Sequence, residues 1–166
     1  MSFYGISPVL FESISNVTGT LGVNSPELGY KVQYGGEDYV YIYNAGGTDV
    51  SPGYAVVLNA TTGYSCTISS VTNAGGAFGF VKHATIAAGK YGFVLTRGFI
   101  DAVNGMAGTA PAAGNIVELA ANGKFTVSNI QLATGAAGVP IGVVQSAGAS
   151  GGTGSSLSYL YVRCLG

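Results

Sequence analysis

Tyr39-Val40-Tyr41-Ile42-Tyr43, closed by Asn44-Ala45-Gly46-Gly47, is the stretch that sets the fold class. β-Branched and aromatic residues suit a pleated strand, and an Asn-Gly cluster suits the turn that ends it. Successive side chains of a strand point to opposite faces. Tyr39, Tyr41 and Tyr43 therefore share one face, and Val40 and Ile42 the other. Val and Ile belong in a core. A tyrosine row, apolar in body and hydrogen-bonding at its tip, suits an interface between subunits; a carbohydrate platform is the alternative use.

The same strand-and-turn signature recurs at Ala55 to Asn59, Ser65 to Ser69, Phe78 to Lys82, Tyr91 to Leu95, Ile116 to Ala120, Phe125 to Ser128, Ile141 to Gln145 and Leu157 to Arg163. Nothing holds a helical period for more than about two turns. The expectation is an all-β chain.

Composition narrows the function classes. The chain has 166 residues, 28 of them glycine, and only 8 % are charged, against about 25 % in ordinary soluble domains. Apolar residues reach 48 %, so this is not the composition of a disordered chain. A net charge of −1 excludes the basic face that a nucleic-acid partner requires. No stretch approaches the roughly 20 apolar residues that span a bilayer, and no membrane partner is expected. Met1-Ser2-Phe3-Tyr4-Gly5 lacks the basic and apolar regions of a signal peptide, so none is expected. Cys66 and Cys164 then read as free, buried thiols. A surface this poor in charge suits assembly better than a free monomer.

An internal repeat organises the chain. Gly53-Tyr54-Ala55-Val56-Val57-Leu58-Asn59-Ala60 aligns with Gly114-Asn115-Ile116-Val117-Glu118-Leu119-Ala120-Ala121, and each copy then reaches a turn glycine, Gly63 or Gly123. Phe78-Gly79-Phe80-Val81-Lys82 aligns with Ile141-Gly142-Val143-Val144-Gln145, and Phe93-Val94-Leu95-Thr96-Arg97 with Tyr159-Leu160-Tyr161-Val162-Arg163. Two similar four-strand units, about 53–98 and 114–164 within a β domain of 38–166, are expected to form one sandwich or small barrel. Residues 1–37 lie outside the repeat and read as an extended N-terminal arm with a first β segment. The arm carries Phe3, Tyr4, Val9, Leu10 and Phe11, too apolar for a solvated tail and too broken by Pro8, Pro26 and glycine for a helix.

The chain offers little chemistry. His83 is the one histidine, and a nucleophilic site needs a base, a nucleophile and an orienting acid in a recognisable arrangement. No Gly-x-Ser-x-Gly occurs, and His83 reads as an exposed strand-end residue. One His and two distant Cys supply no zinc site, and the acids lack calcium-loop spacing. The glycine clusters carry no Lys-Ser/Thr pair for phosphate. No catalytic residue, metal or cofactor is expected, and an enzyme is not. Arg97 and Arg163 occupy equivalent repeat positions and suit bidentate pairing with Glu118, Asp101 or a neighbouring subunit's carboxylate.

Leu28-Gly29-Tyr30-Lys31-Val32, followed by Gly35-Gly36-Glu37-Asp38-Tyr39-Val40-Tyr41, resembles the opening of small virion proteins of tailed bacteriophages. The stretch from Asn44-Ala45-Gly46 to Gly53-Tyr54-Ala55-Val56 is similar to their next segment. The Gly79-Phe80-Val81 and Gly142-Val143-Val144 elements resemble those of capsid decoration (cement) proteins. The resemblance covers roughly residues 26–166.

It implies a β-rich accessory protein, made in the host cytoplasm, on the outer surface of the virion head. Such a protein binds the major capsid protein, is a homotrimer and bridges neighbouring capsomers; the alternative is a receptor- or carbohydrate-binding module of a fibre or spike. No catalytic residue is carried over. From the arm's composition, Phe3, Tyr4, Val9, Leu10 and Phe11 are assigned to capsid binding. Tyr39, Tyr41, Tyr43, Arg97 and Arg163 are assigned to the subunit interface.

Overall fold

The structure is a computed structural model that describes residues 26–59, 63–68, 76–104, 111–128, 140–146, 150–151 and 155–164. The arm residues Phe3, Tyr4, Val9, Leu10 and Phe11 lie outside the described residues. The strands are β1 (Lys31–Tyr34), β2 (Glu37–Asn44), β3 (Ala55–Leu58), β4 (Ser65–Ile68), β5 (Gly79–Phe80), β6 (Tyr91–Asn104), β7 (Ile116–Leu119), β8 (Phe125–Val127), β9 (Pro140–Ser146), β10 (Ser150–Gly151) and β11 (Ser155–Arg163). A 3-10 turn, Ala121–Gly123, joins β7 to β8. The chain is all-β, as its sequence indicates, and forms one large sheet ordered β1-β2-β4-β3-β5-β6-β11-β9-β7-β8.

Local chemistry explains the strand ends. Asn44 stops β2 with its side chain: Nδ2 donates to the carbonyls of Thr48 and Ile86, and Oδ1 accepts from the Gly46 amide. Ala87 to Lys90 turns the chain into β6, with the Lys90 amide bonded to the Ala87 carbonyl and Gly89 at φ +70°.

β6 runs well past the Tyr91 to Leu95 segment read from sequence, for 14 residues. Its first half pairs with β2, from Tyr43↔Tyr91 to Asp38↔Arg97. Its second half pairs with β11, from Arg163↔Arg97 to Leu157↔Asn104. The pairings among the early strands return on themselves: β2 with β4, β4 with β3, β3 with β5, β5 with β6, and β6 again with β2.

Two cores result. Val40, Ile42, Val56, Cys66, Phe78, Val81 and Val94 pack together on one side of these strands. On the other side Tyr39, Tyr41, Phe80, Phe93 and Leu95 pack against Val117, Leu119, Phe125, Ile141, Val144 and Val162 from the later strands. Both faces of β2 are therefore buried.

Registers recur between the early and late strands. Val56 pairs with Gly79 and Val117 with Gly142; Phe80 pairs with Leu95 and Val143 with Tyr161. The two glycines meet the same obstacle. A Cβ on Gly79 would come within 3.0 Å of the Leu95 carbonyl oxygen, and one on Gly142 within 2.5 Å of the Tyr161 carbonyl oxygen. Glycine is what lets each strand approach its neighbour's backbone. Backbone cannot rotate aside as a side chain can, so Gly142→Ala is expected to cost on the order of 1–3 kcal/mol, read as a lowered urea midpoint with unchanged m-value.

Candidate functional site

The described surface carries two features of note: a charged network at the start of β2, and an apolar row across the late strands. The network centres on Glu37. Lys82 Nζ lies 2.6 Å from both Glu37 carboxylate oxygens and donates to the Phe99 carbonyl at 2.7 Å. The Phe99 amide donates to Glu37 Oε1 at 3.0 Å, and the Tyr39 hydroxyl donates to Oε2 at 2.5 Å. Tyr39 Oη also lies 2.9 Å from His83 Nε2, and the two rings stack. Because the tyrosine proton is committed to Glu37, the neutral tautomer with its proton on Nε2 completes the chain His83 to Tyr39 to Glu37.

The network thus ties β2, the segment after β5 and the middle of β6. Burial pushes the Glu37 carboxyl up, but the hydrogen bonds from Lys82, Tyr39 and Phe99 outweigh it and hold the group below its ordinary range. Burial, followed by the Lys82 charge, lowers His83 against the opposing pull of Glu37. The expectation of an exposed strand-end histidine is corrected: His83 is half-buried and hydrogen-bonded.

A second set of polar side chains lies alongside on β1, β2, β6 and β11. Gln33 Nε2 donates to Asp38 Oδ1 at 3.1 Å, and Arg97 Nε pairs with Asp38 Oδ2 at 2.7 Å. Arg163 stands opposite Arg97 in the ladder. The Arg97 partner is thus Asp38, not Glu118, which is fully buried and accepts from Ser128 Oγ at 2.9 Å. Of Asp101 only the backbone is described. Among the described residues Arg163 forms no ion pair. A groove of about 380 Å³ lined by Lys31, Gln33, Asp38, Tyr39 and Thr96 adjoins these groups. Among the described residues no group of three or more His, Cys, Asp or Glu is placed to hold a metal ion.

The tyrosine face of β2 is the largest departure from the sequence reading. Tyr39 is 1 % exposed and Tyr41 is 0 %. Their rings lie in the chain's own core, where Tyr41 contacts Tyr91 and Phe93 at centroid separations of 6.0 and 5.0 Å. Burial pushes the Tyr41 hydroxyl up to about 12. Only Tyr43 keeps partial exposure, against Tyr91. The expectation of Tyr39 and Tyr41 as a subunit surface is therefore corrected: the later strands cover that face.

The exposed row sits elsewhere. Phe99 on β6, Tyr161 on β11, Val143 on β9 and Ile116 on β7 are successive ladder partners. Phe99 is 40 % and Val143 36 % exposed, Tyr161 and Ile116 are partly exposed, and the Phe99 and Tyr161 rings meet edge to face at 5.0 Å. Alternation hides this row in the sequence, because no single strand contributes more than one of its members. Cys66 and Cys164 are free as expected, with burial pushing both thiols up to about 12.

No protein-family model and no curated protein matches this sequence.

The network predicts acid sensitivity. A histidine whose folded pKa is lowered leaves the unfolded chain with more bound protons, so its contribution is full above the ordinary value of about 6.5 and is lost as pH falls through it. Glu37, also lowered, loses its contribution only at lower pH. Wild-type urea midpoints are expected to fall between about pH 7 and pH 5, and His83→Gln to flatten that fall; parallel profiles count against the assignment. Glu37→Gln strands the Lys82 ammonium and is expected to cost roughly 1–3 kcal/mol.

Proposed function

We propose that the protein is a structural virion protein of the decoration, or cement, type. It self-associates as a homotrimer, binds the outer surface of a tailed-phage capsid through the major capsid protein, and stabilises the shell by bridging neighbouring capsomers. The observation that carries this reading is the cross-strand row Phe99–Tyr161–Val143–Ile116, apolar and open to solvent on a sheet face. It is bordered by Arg97 and Arg163 on the same strands, an apolar centre with a charged edge, as in protein interfaces. The scarcity of charge agrees, since interfaces deplete Lys, Glu and Asp. Many weak copies of one contact stabilise a shell because each binds the assembled state alone. The adhesion reading can use the tyrosine row or the loop 148–156, and burial of Tyr39 and Tyr41 bears on the first of these alone.

The reading extends to the architecture: two similar units, with the ring of early strands taken as a small barrel. Support comes from the recurring registers and from the paired glycines, Gly79 before Leu95 and Gly142 before Tyr161. The second half of β6 also does for the late strands what β2 does for the early ones. Tyr39 and Val40 pair with Leu95 and Val94, as Phe99 and Ile100 pair with Tyr161 and Leu160. Each unit then has five strands, and the first unit begins at β2 rather than at Gly53.

Electron microscopy of particles mixed with the purified protein tests the function. Density spread over the head is expected, and density confined to tail tips counts against it. Deleting residues 1–25 is expected to leave a folded body with a native circular-dichroism spectrum that no longer decorates capsids. Full occupancy by that truncated chain removes Phe3, Tyr4, Val9, Leu10 and Phe11 from the capsid contact.

A further inference from the structure

The ladders of β1, β2, β6 and β11 line up one polar row. Gln33 pairs with Asp38, Asp38 with Arg97, and Arg97 with Arg163. Ladder partners project from the same face of a sheet, so these four side chains share one. Lys31, two residues before Gln33 on β1, joins them by alternation. Three of the chain's six basic residues thus stand on one face of four adjoining strands. Lys31, Gln33, Arg97 and Arg163 are exposed, and Lys31, Gln33 and Asp38 line the groove of about 380 Å³. Thr96 also lines that groove, and its carbonyl accepts from the amide of Cys164, the residue after Arg163.

The row already displays the chemistry it favours. Asp38 lies between two donors, Gln33 Nε2 at 3.1 Å and Arg97 Nε at 2.7 Å, with Arg97 Nη2 at 3.4 Å. Arg97 thus turns its fork toward a carboxylate, the bidentate manner in which guanidinium groups hold planar anions. The next step of the ladder repeats the arginine, because Arg163 stands directly opposite Arg97. Like charges so placed are unfavourable, and an anion held between them offsets the repulsion.

Glu37 does not serve this face. It follows alternation to the other side of β2, where Lys82, Tyr39 and the Phe99 amide hold it. Asp101 is four residues along β6 from Arg97, which sets their backbones about 13 Å apart. The side chains of Asp101 and Glu12 lie outside the described residues, so the test removes each in turn.

We infer that the row Gln33–Asp38–Arg97–Arg163, with Lys31, is a binding site for an acidic segment of a protein partner. The inference rests on the docking reading above and adds the chemistry of the surface that is met. Three strand spacings separate Gln33 from Arg163, about 14 Å, the rise of about four residues of extended chain. Carboxylates on alternate residues of such a segment face the sheet together, one reaching Arg163 and Arg97 and another Lys31. The planar guanidinium fork matches a carboxylate. Three cations in a chain of net charge −1 make a local patch, too small for the backbone of a nucleic acid.

Arg97 and Arg163 are the chain's two arginines, so nuclear magnetic resonance of their Nε–H groups reads this site alone. Hexaglutamate added to the full chain at low salt is expected to shift both signals, and added salt to reverse the shift. Arg163→Gln is expected to weaken binding by about tenfold. Asp38→Asn, which ends the competition for Arg97, is expected to tighten it by about threefold. Both variants should keep a native circular-dichroism spectrum, since both positions reach solvent. No shift, unchanged affinity in Arg163→Gln, weaker binding in Asp38→Asn, or equal binding of a thymidine hexanucleotide each overturns the inference. So does an Arg163 signal that Glu12→Gln or Asp101→Asn alone displaces as far as the peptide does, because that acid then occupies the site. Peptide binding by a chain that decorates no capsid supports the site and removes the capsid reading. Decoration by a chain that binds no peptide overturns the site and spares that reading.

Discussion

Everything in this sheet depends on β6 remaining one continuous strand while it exchanges partners. Its ladder with β2 ends and its ladder with β11 begins at Arg97, which has a partner on each strand, and the next residue is Gly98 at φ +143°, a conformation L side chains rarely adopt. A Cβ there would also sit 2.8 Å from Glu37 Cγ. The exchange point is the place where the Glu37 network fastens: Lys82 holds the Phe99 carbonyl and Glu37 holds the Phe99 amide. Phe99 lies beyond the end of the β2 ladder and opposite Tyr161 of β11, and Glu37 and Lys82 bond its amide and carbonyl where β2 no longer does. Charge is scarce in this chain, and a large part of it is spent at this joint.

From the joint follow the two cores. The half of β6 bonded to β2 sends Val94 to one core and Phe93 and Leu95 to the other. The half bonded to β11 sends Ile100 inward and Phe99 out to solvent. Period-two alternation holds within each half but not across the joint: odd-numbered Phe93 and Leu95 and even-numbered Ile100 enter the same core, and the pairing with β2 shifts register at Asp38 and Tyr39.

Much of the fold was legible in the sequence. Each segment singled out by β-branched and aromatic residues contains a strand, and Asn44 and Gly89 end or turn strands as their chemistry indicates. The aligned pairs Gly79 and Gly142, or Leu95 and Tyr161, occupy matching ladder positions. The candidate site was far less legible. Alternation told which residues share a face of β2 but not whether that face meets water, because a strand covered on both sides shows no polar face to mark the difference. Tyr39 and Tyr41 were assigned outward for that reason. The exposed row went unseen because its four members come from four strands between Phe99 and Tyr161. His83 was unremarkable as a lone histidine, and only the approach of Tyr39 and Lys82 gives it a role.

By itself the sequence determined the all-β class, the positions of the strands and turns, and the shortage of charge that argues for assembly. These are local properties: side-chain shape, turn chemistry and composition act within a few residues. Tertiary structure alone decided which faces are buried, that Arg97 pairs with Asp38, and that Phe99 and Val143 keep exposure. Those outcomes depend on strands that are distant in the chain and adjacent in the sheet, and on the layer that the late strands lay over the early ones.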